Sequence, residues 1–229
     1  AMLCNNEIPE FKPRSDDSPE DAAANRRDGE EYLSMVKEAA GDASIIAEDL
    51  GLVPDYVRPS LAGLEIAGMK IPQWEFTDGS VTPGCEYPPL SFAAYATHDH
   101  APMKAQWDDN VALLKSAEPQ SPDWWEAHNF FKPLCDYAGL EFDPANPPEY
   151  TDDVRESLLK AIFESRSKDV AILISDLFGL EERINVPGVM DGTNWAWRLD
   201  MTVQELEENP HWAYLTRRIS RLLKDSGRA

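Results

Sequence analysis

A chain of 229 residues, 42% of them apolar and 10% aromatic, is long enough to bury a substantial core, which excludes disorder over its whole length. The formal charge of −21, from 21 Lys and Arg against 42 Asp and Glu, repels nucleic acid and anionic lipid but not a neutral ligand such as a sugar; solubility alone also accounts for it. No apolar run reaches the roughly 20 residues of a membrane helix, and no basic-then-apolar leader opens the chain. The three cysteines, Cys4, Cys85 and Cys135, fit neither a metal spacing nor a disulfide framework, which points to a reduced, cytoplasmic protein.

Residues 1–27 are polar and rich in Pro, Asp and Asn, and are expected to be a tail or loop ahead of one folded region, 28–229. A helix is predicted over Asp28–Ala40, with Tyr32, Leu33, Val36 and Ala40 on one stripe. Ser44–Ala47 is a short apolar run that breaks off in Glu48 and Asp49, the pattern of a buried strand with carboxylates at its C-terminal end. A second helix follows over Pro54–Leu64, with Val57, Leu61 and Leu64 as core candidates. Gly68–Trp74 is the next strand, weakened by Pro72, and Pro83–Pro89 is a loop. Phe92–Thr97 is a third strand, ending in His98, Asp99 and His100. Helices are expected over Met103–Ala117, Asp123–Ala138 and Asp152–Ser165, with a rigid Pro-rich loop at Phe142–Pro148. Val170–Ile174 is the clearest buried strand, ending in Ser175 and Asp176. A last helix over His211–Lys224 turns Tyr214, Leu215, Ile219, Leu222 and Leu223 inward. Four strands alternating with helices give an α/β fold with parallel strands, too few to close a barrel of eight.

In such a fold ligands meet the C-terminal ends of the strands. Glu48, Gln73, Trp74, His98, Asp99 and Asp176 fall there. Paired carboxylates beside indole and imidazole rings suit glycoside chemistry, because cleavage uses two carboxyl groups and sugars stack on aromatic faces. Strand-end aspartates also cap the next turn or helix, and spacing alone leaves both roles open. His98 and His100 flank Asp99 with no third ligand in view, so no metal site is expected. Trp124 and Trp125 are adjacent on a helix and diverge, so at least one packs into the core.

The segment Ile45-Ile46-Ala47-Glu48-Asp49-Leu50-Gly51 resembles the I-x-A-E-D-L-G signature of the amylomaltases, the 4-alpha-glucanotransferases of glycoside hydrolase family 77. Gly68–Trp74 is similar to that family's G-M-x-V-x-Q-F segment, and Ala96–Asp99 to its T-H-D motif. Asp176–Leu180, Arg183–Gly188 and Asn194–Leu199 resemble its C-terminal block. The resemblance implies that the chain is the C-terminal half of a (β/α)8 barrel, strands five to eight. Glu48 then corresponds to the general acid/base, expected to lie partly buried under apolar neighbours, and Asp99 to the carboxylate that stabilises the oxocarbenium-like transition state. His98 contacts the same sugar ring, Asn185 lines the donor site, and Trp74 stands where the family has Phe and stacks on sugar. No cofactor is implied.

The chain departs from the family in one decisive respect. The nucleophile's R-x-D-H motif does not precede Glu48: Arg14-Ser15-Asp16 and Arg27-Asp28 lack the pattern, and Arg198-Leu199-Asp200 belongs to the Asn-Trp block. His100-Ala101-Pro102 also differs from the family's usual continuation. The expectation is therefore a fragment whose parent moves alpha-1,4-glucan segments between maltooligosaccharides. It would be inactive alone, and would need the missing N-terminal half or self-association to cover its open sheet edges. The alternative is a glucan-binding protein that kept the sugar site and lost the chemistry.

Overall fold

The computed structural model describes residues 15–228, so Cys4 and the first half of the expected tail lie outside it. In chain order the elements are helix α1 (Pro19–Ala40), strand β1 (Ile46–Ala47), α2 (Val57–Gly63) and β2 (Ala67–Lys70). Next come a short hairpin, β3 (Phe76–Thr77) and β4 (Ser80–Val81), and then β5 (Ser91–Ala93). Helices α3 (Met103–Ser116), α4 (Pro122–Ala138) and α5 (Asp152–Phe163) precede β6 (Asp169–Val170), and α6 (Ile174–Phe178), α7 (Val203–Glu208) and α8 (Pro210–Asp225) complete the chain.

The main sheet is parallel and four-stranded, in the order β1-β2-β5-β6. β1 pairs with β2 through Ile46–Ala67 and Ala47–Gly68, Ala94 N–H continues from β5 to Lys70 O, and Ala171 N–H reaches Ala93 O from β6. The chain divides into two compact units: the first runs through Met69 and adds Leu90–Phe92, and the second holds Lys70–Pro89 and Ala93 onward.

In the first unit, α1 begins at Pro19, nine residues earlier than expected, so residues 19–27 are helix rather than tail. Ser18 sets the start by accepting from Asp21 N–H ahead of the helix-compatible Pro19. The polar face of α1 meets α2: Glu30 accepts from the Ser60 hydroxyl at 2.6 Å, and Lys37 Nζ donates to Leu64 O at 2.6 Å. The expected apolar stripe is therefore only partly covered. Leu33 and Ala40 are half-buried, whereas Tyr32, Met35 and Val36 are exposed. Leu61 is buried as anticipated, while Val57 and Leu64 are half-buried.

In the second unit, α3, α4 and α5 pack around Trp107, Phe131, Leu134, Leu158 and Ile162, all essentially inaccessible to water. Trp107 donates its indole N–H to Pro148 O at 2.7 Å, so the rigid Pro-rich loop satisfies the one polar atom of a fully buried ring. Ser121 caps α4 and Thr151 caps α5. Gly139, in the left-handed region, ends α4.

Four strand readings need correction: of the expected buried strand Ser44–Ala47 only Ile46–Ala47 pairs, and Ile46 is exposed. Pro72 cannot donate to a ladder, so β2 stops at Lys70 and Pro72–Trp74 forms a 3₁₀ turn. The run Val170–Ile174 pairs only as far as Ala171, and Ile174 already opens a helix. β5 ends at Ala93, although Ala94, Tyr95 and Ala96 remain buried beyond it. On α8, Leu215 and Leu222 are buried as expected, but Tyr214 is exposed and donates nothing to the core; its hydroxyl accepts from Arg218 instead.

Candidate active site

β1 delivers two adjacent carboxylates to opposite environments. Glu48 is solvent-exposed, without the apolar cover expected of it. Asp49 is buried; its Oδ1 accepts Met69 N–H at 2.7 Å, and Arg58 Nε lies 3.3 Å from its Oδ2. The carboxylate passes so close to β2 that a Cβ on Gly68 would lie 2.9 Å from both of its oxygens. Asp49 and Gly68 thus lock the two strands together, and Glu48 is left exposed at the end of β1.

The second unit holds the larger cluster, built on a tight turn after β5. Thr97 O accepts His100 N–H at 3.1 Å, and Thr97 Oγ1 accepts Asp99 N–H at 3.3 Å. His100 Nδ1 accepts the Thr97 backbone N–H at 3.3 Å and sits 2.9 Å from its hydroxyl. His100 is folded back to shape the turn, leaving His98 and Asp99 as its outward residues, with side chains 46% and 41% exposed.

Asp99 is held from three directions. Asn185 Nδ2 donates to Oδ1 at 2.5 Å, His98 Nε2 lies 3.3 Å from the same oxygen, and Arg183 Nη2 donates to the Asp99 backbone carbonyl at 2.7 Å. Arg183 and Asn185 are two residues apart, so one extended segment grips both the main chain and the carboxylate. Asn194 pins that segment: its Oδ1 accepts Val186 N–H at 2.8 Å, and its Nδ2 donates to Val186 O and Val189 O at 2.9 Å each. Asp191 turns the chain into Asn194 by accepting the Thr193 N–H and hydroxyl, which hold its carboxyl below the usual carboxylate range. Trp195 adopts a left-handed backbone (φ 62°), and its indole lies 4.9 Å from the His98 ring.

Trp74 is half-exposed and packs at 5.1 Å against His100, the other imidazole of the same turn. The adjoining Gln73 donates to Tyr95 O at 2.8 Å, which anchors the 3₁₀ turn that carries Trp74. Asp176, the remaining strand-end candidate, is structural. It is buried in the first turn of α6 and accepts Met103 N–H at 2.6 Å, so it caps α3. Burial pushes its carboxyl up to about 6, against the opposing pull of that hydrogen bond. Trp124 packs on the core and Trp125 is half-exposed, as their helical divergence required. Among the described residues no three His, Cys, Asp or Glu side chains gather to hold a metal ion, and no helix is long and apolar enough to cross a membrane.

His98, Asp99 and Asn185 therefore meet in one cluster with Trp195, and Trp74 borders the same turn; Glu48 belongs to the first unit. The roles of Arg183, Asn194 and Trp195 were not anticipated. The Arg-x-Asn spacing was visible in the sequence, but nothing in it says that both side chains reach back to Asp99 from 84 and 86 residues away.

The sequence profile described as 4-alpha-glucanotransferase matches residues 7–203. The 4-alpha-glucanotransferase of Chlamydia pneumoniae is 30% identical over 203 residues, covering 83% of this chain and 34% of that protein. That of Chlamydia caviae is 29% identical over 82% of this chain and 34% of its own length. Among solved structures, amylomaltase from Corynebacterium glutamicum superposes with a TM-score of 0.62 at 22% identity, covering 83% of this chain and 30% of that one. Amylomaltase from Streptococcus agalactiae, solved in complex with acarbose, gives 0.55 at 25% identity over 85% of this chain and 34% of that one. The chain spans about a third of the length of the relatives it matches. It belongs to the 4-alpha-glucanotransferase family, glycoside hydrolase family 77.

Proposed function

We propose that this chain carries two of the three catalytic carboxylates of a retaining 4-alpha-glucanotransferase, and that it needs the N-terminal half of the barrel for activity. The observation that carries this reading is the clamp on Asp99. An aspartate whose carboxylate is held by Asn185 and whose backbone carbonyl is held by Arg183, flanked by His98 and still open to solvent, can hold a sugar hydroxyl through the change of ring shape that accompanies an oxocarbenium-like transition state. Glu48, exposed at the end of β1, gives its proton to the departing glycosidic oxygen as the C1–O bond breaks. It then takes the proton of the acceptor hydroxyl as the new C1–O bond forms. The carboxylate that binds C1 between those steps comes from the R-x-D-H motif, which this sequence lacks.

The donor is an alpha-1,4-glucan. A neutral chain of sugars meets no electrostatic penalty at a protein of charge −21, and acarbose, bound by the Streptococcus agalactiae relative, is the natural probe. The test has two arms. The chain alone should release no glucose from maltotriose, and release that Glu48→Gln abolishes would overturn the reading. In a barrel completed with a family N-terminal half, Asp99→Asn should lower kcat at least a hundredfold with little change in KM, because its contact strengthens in the transition state. Near-normal turnover in that variant would remove Asp99 from the mechanism.

A further inference from the structure

We propose that Trp195 is a sugar-stacking wall of the Asp99 site, binding the apolar C–H face of the glucose ring whose hydroxyls Asp99 holds. This rests on the reading of Asp99 given above, and adds to it a residue on which no role had been placed.

Four observations carry it. The indole is 58% exposed, so it is not a core residue, and its ring lies 4.9 Å from His98, whose Nε2 is 3.3 Å from Asp99 Oδ1. It therefore stands one ring away from the carboxylate. The backbone at Trp195 has φ 62°, a left-handed conformation that a large aromatic residue adopts rarely. That conformation is enforced on both sides: Trp195 N–H donates to Ile184 O at 2.9 Å, and the preceding Asn194 is tied by three hydrogen bonds to the segment that carries Asn185. The same bonds that aim Asn185 at Asp99 thus aim the indole at His98. A strained backbone, fixed from two sides to hold an exposed ring, has no packing rationale.

The ligand chemistry follows from the surface presented. A flat apolar face beside a carboxylate, an amide and an imidazole matches a pyranose, which offers hydroxyls at its rim and C–H groups on its face.

The experiment uses the 229-residue chain and maltotriose as probe, followed by the indole N–H resonances of its seven tryptophans. Trp195→Phe identifies the Trp195 signal, and the fully buried Trp107 is the internal control. Millimolar maltotriose should shift Trp195 and leave Trp107 in place. Trp195→Ala should weaken binding about tenfold, and Trp195→Phe, which keeps an aromatic face, should restore most of it. If maltotriose shifts the amides of His98, Asp99 and Asn185 but neither moves Trp195 nor binds less tightly to Trp195→Ala, the stacking proposal is wrong and the Asp99 reading stands. If it shifts none of them, both fall together. The assignment needs only the conservative Trp195→Phe to fold, and a merely structural Trp195 would not report ligand.

Discussion

Glu48 and Asp49 are neighbours with identical charge, and the fold places them in opposite environments, one exposed and one buried. Asp49 satisfies Met69 N–H and excludes any side chain at position 68. Gly68→Ala should therefore destabilise the protein by about 1–3 kcal/mol, because Asp49 must yield its hydrogen bond to make room. In urea unfolding the cost should largely vanish in an Asp49→Ala background; equal costs in both backgrounds would show that the clash is not with Asp49. Asp176 gives a second test through pH. Its folded pKa, about 6, is raised above its ordinary value, so the stability it contributes is fully present below about pH 4 and lost as pH rises through 6. The stability of the native protein relative to Asp176→Asn should fall between pH 4 and 7, by at most about 3 kcal/mol for a shift of this size. A pH-independent difference would contradict the assignment. The sequence marked Glu48, Asp49, Asp99 and Asp176 alike as carboxylates near apolar runs. Only partners distant in sequence, Met69 for Asp49, Met103 for Asp176 and Asn185 for Asp99, separate caps and ties from a solvent-facing acid.

Helices were legible at the scale of elements where the chain carries its own punctuation. Ser121-Pro122 and Thr151-Asp152 place the starts of α4 and α5 within a residue of expectation, since a capping hydroxyl satisfies an orphan N–H locally. Strands were overextended because apolar runs outlast pairing: Tyr95, past the end of β5, is buried in the core cluster with residues of α3, α4 and α5. The turn that feeds β6 depends on a residue no local pattern reveals. Arg228, just past α8, donates to the carbonyls of Phe163, Ser165, Ser167 and Lys168, so one guanidinium closes the end of α5 and the approach to β6. An ammonium cannot span four divergent carbonyls. Arg228→Lys should cost about 1–3 kcal/mol and speed amide exchange over residues 164–171 while leaving α3 protected. Unchanged exchange there would mean the clamp contributes nothing.

Across the whole molecule, what the sheet lacks is as telling as what it holds. β1 and β6 end the strand order, and Tyr32, Met35 and Val36 leave an apolar face on α1 open to water. Edge strands and exposed apolar stripes are where further chain adds on, and the relatives this chain matches are about three times its length. The proposed occupant of both is the N-terminal half of the barrel, which would also supply the R-x-D-H carboxylate. Mixing this chain with a polypeptide carrying the first four strands should generate maltotriose disproportionation that neither part has alone, and Glu48→Gln should abolish it. Replacing Tyr32 and Met35 together by Ser should cost the isolated chain little, because both are more than half exposed, yet weaken complementation at least tenfold. Without its partner, the chain should self-associate at micromolar concentration as its edges find other strands. A compact monomer in sedimentation, with fast amide exchange at residues 45–47 and 169–171 and no gain of activity on mixing, would show that the edges need no partner and would overturn the half-barrel proposal.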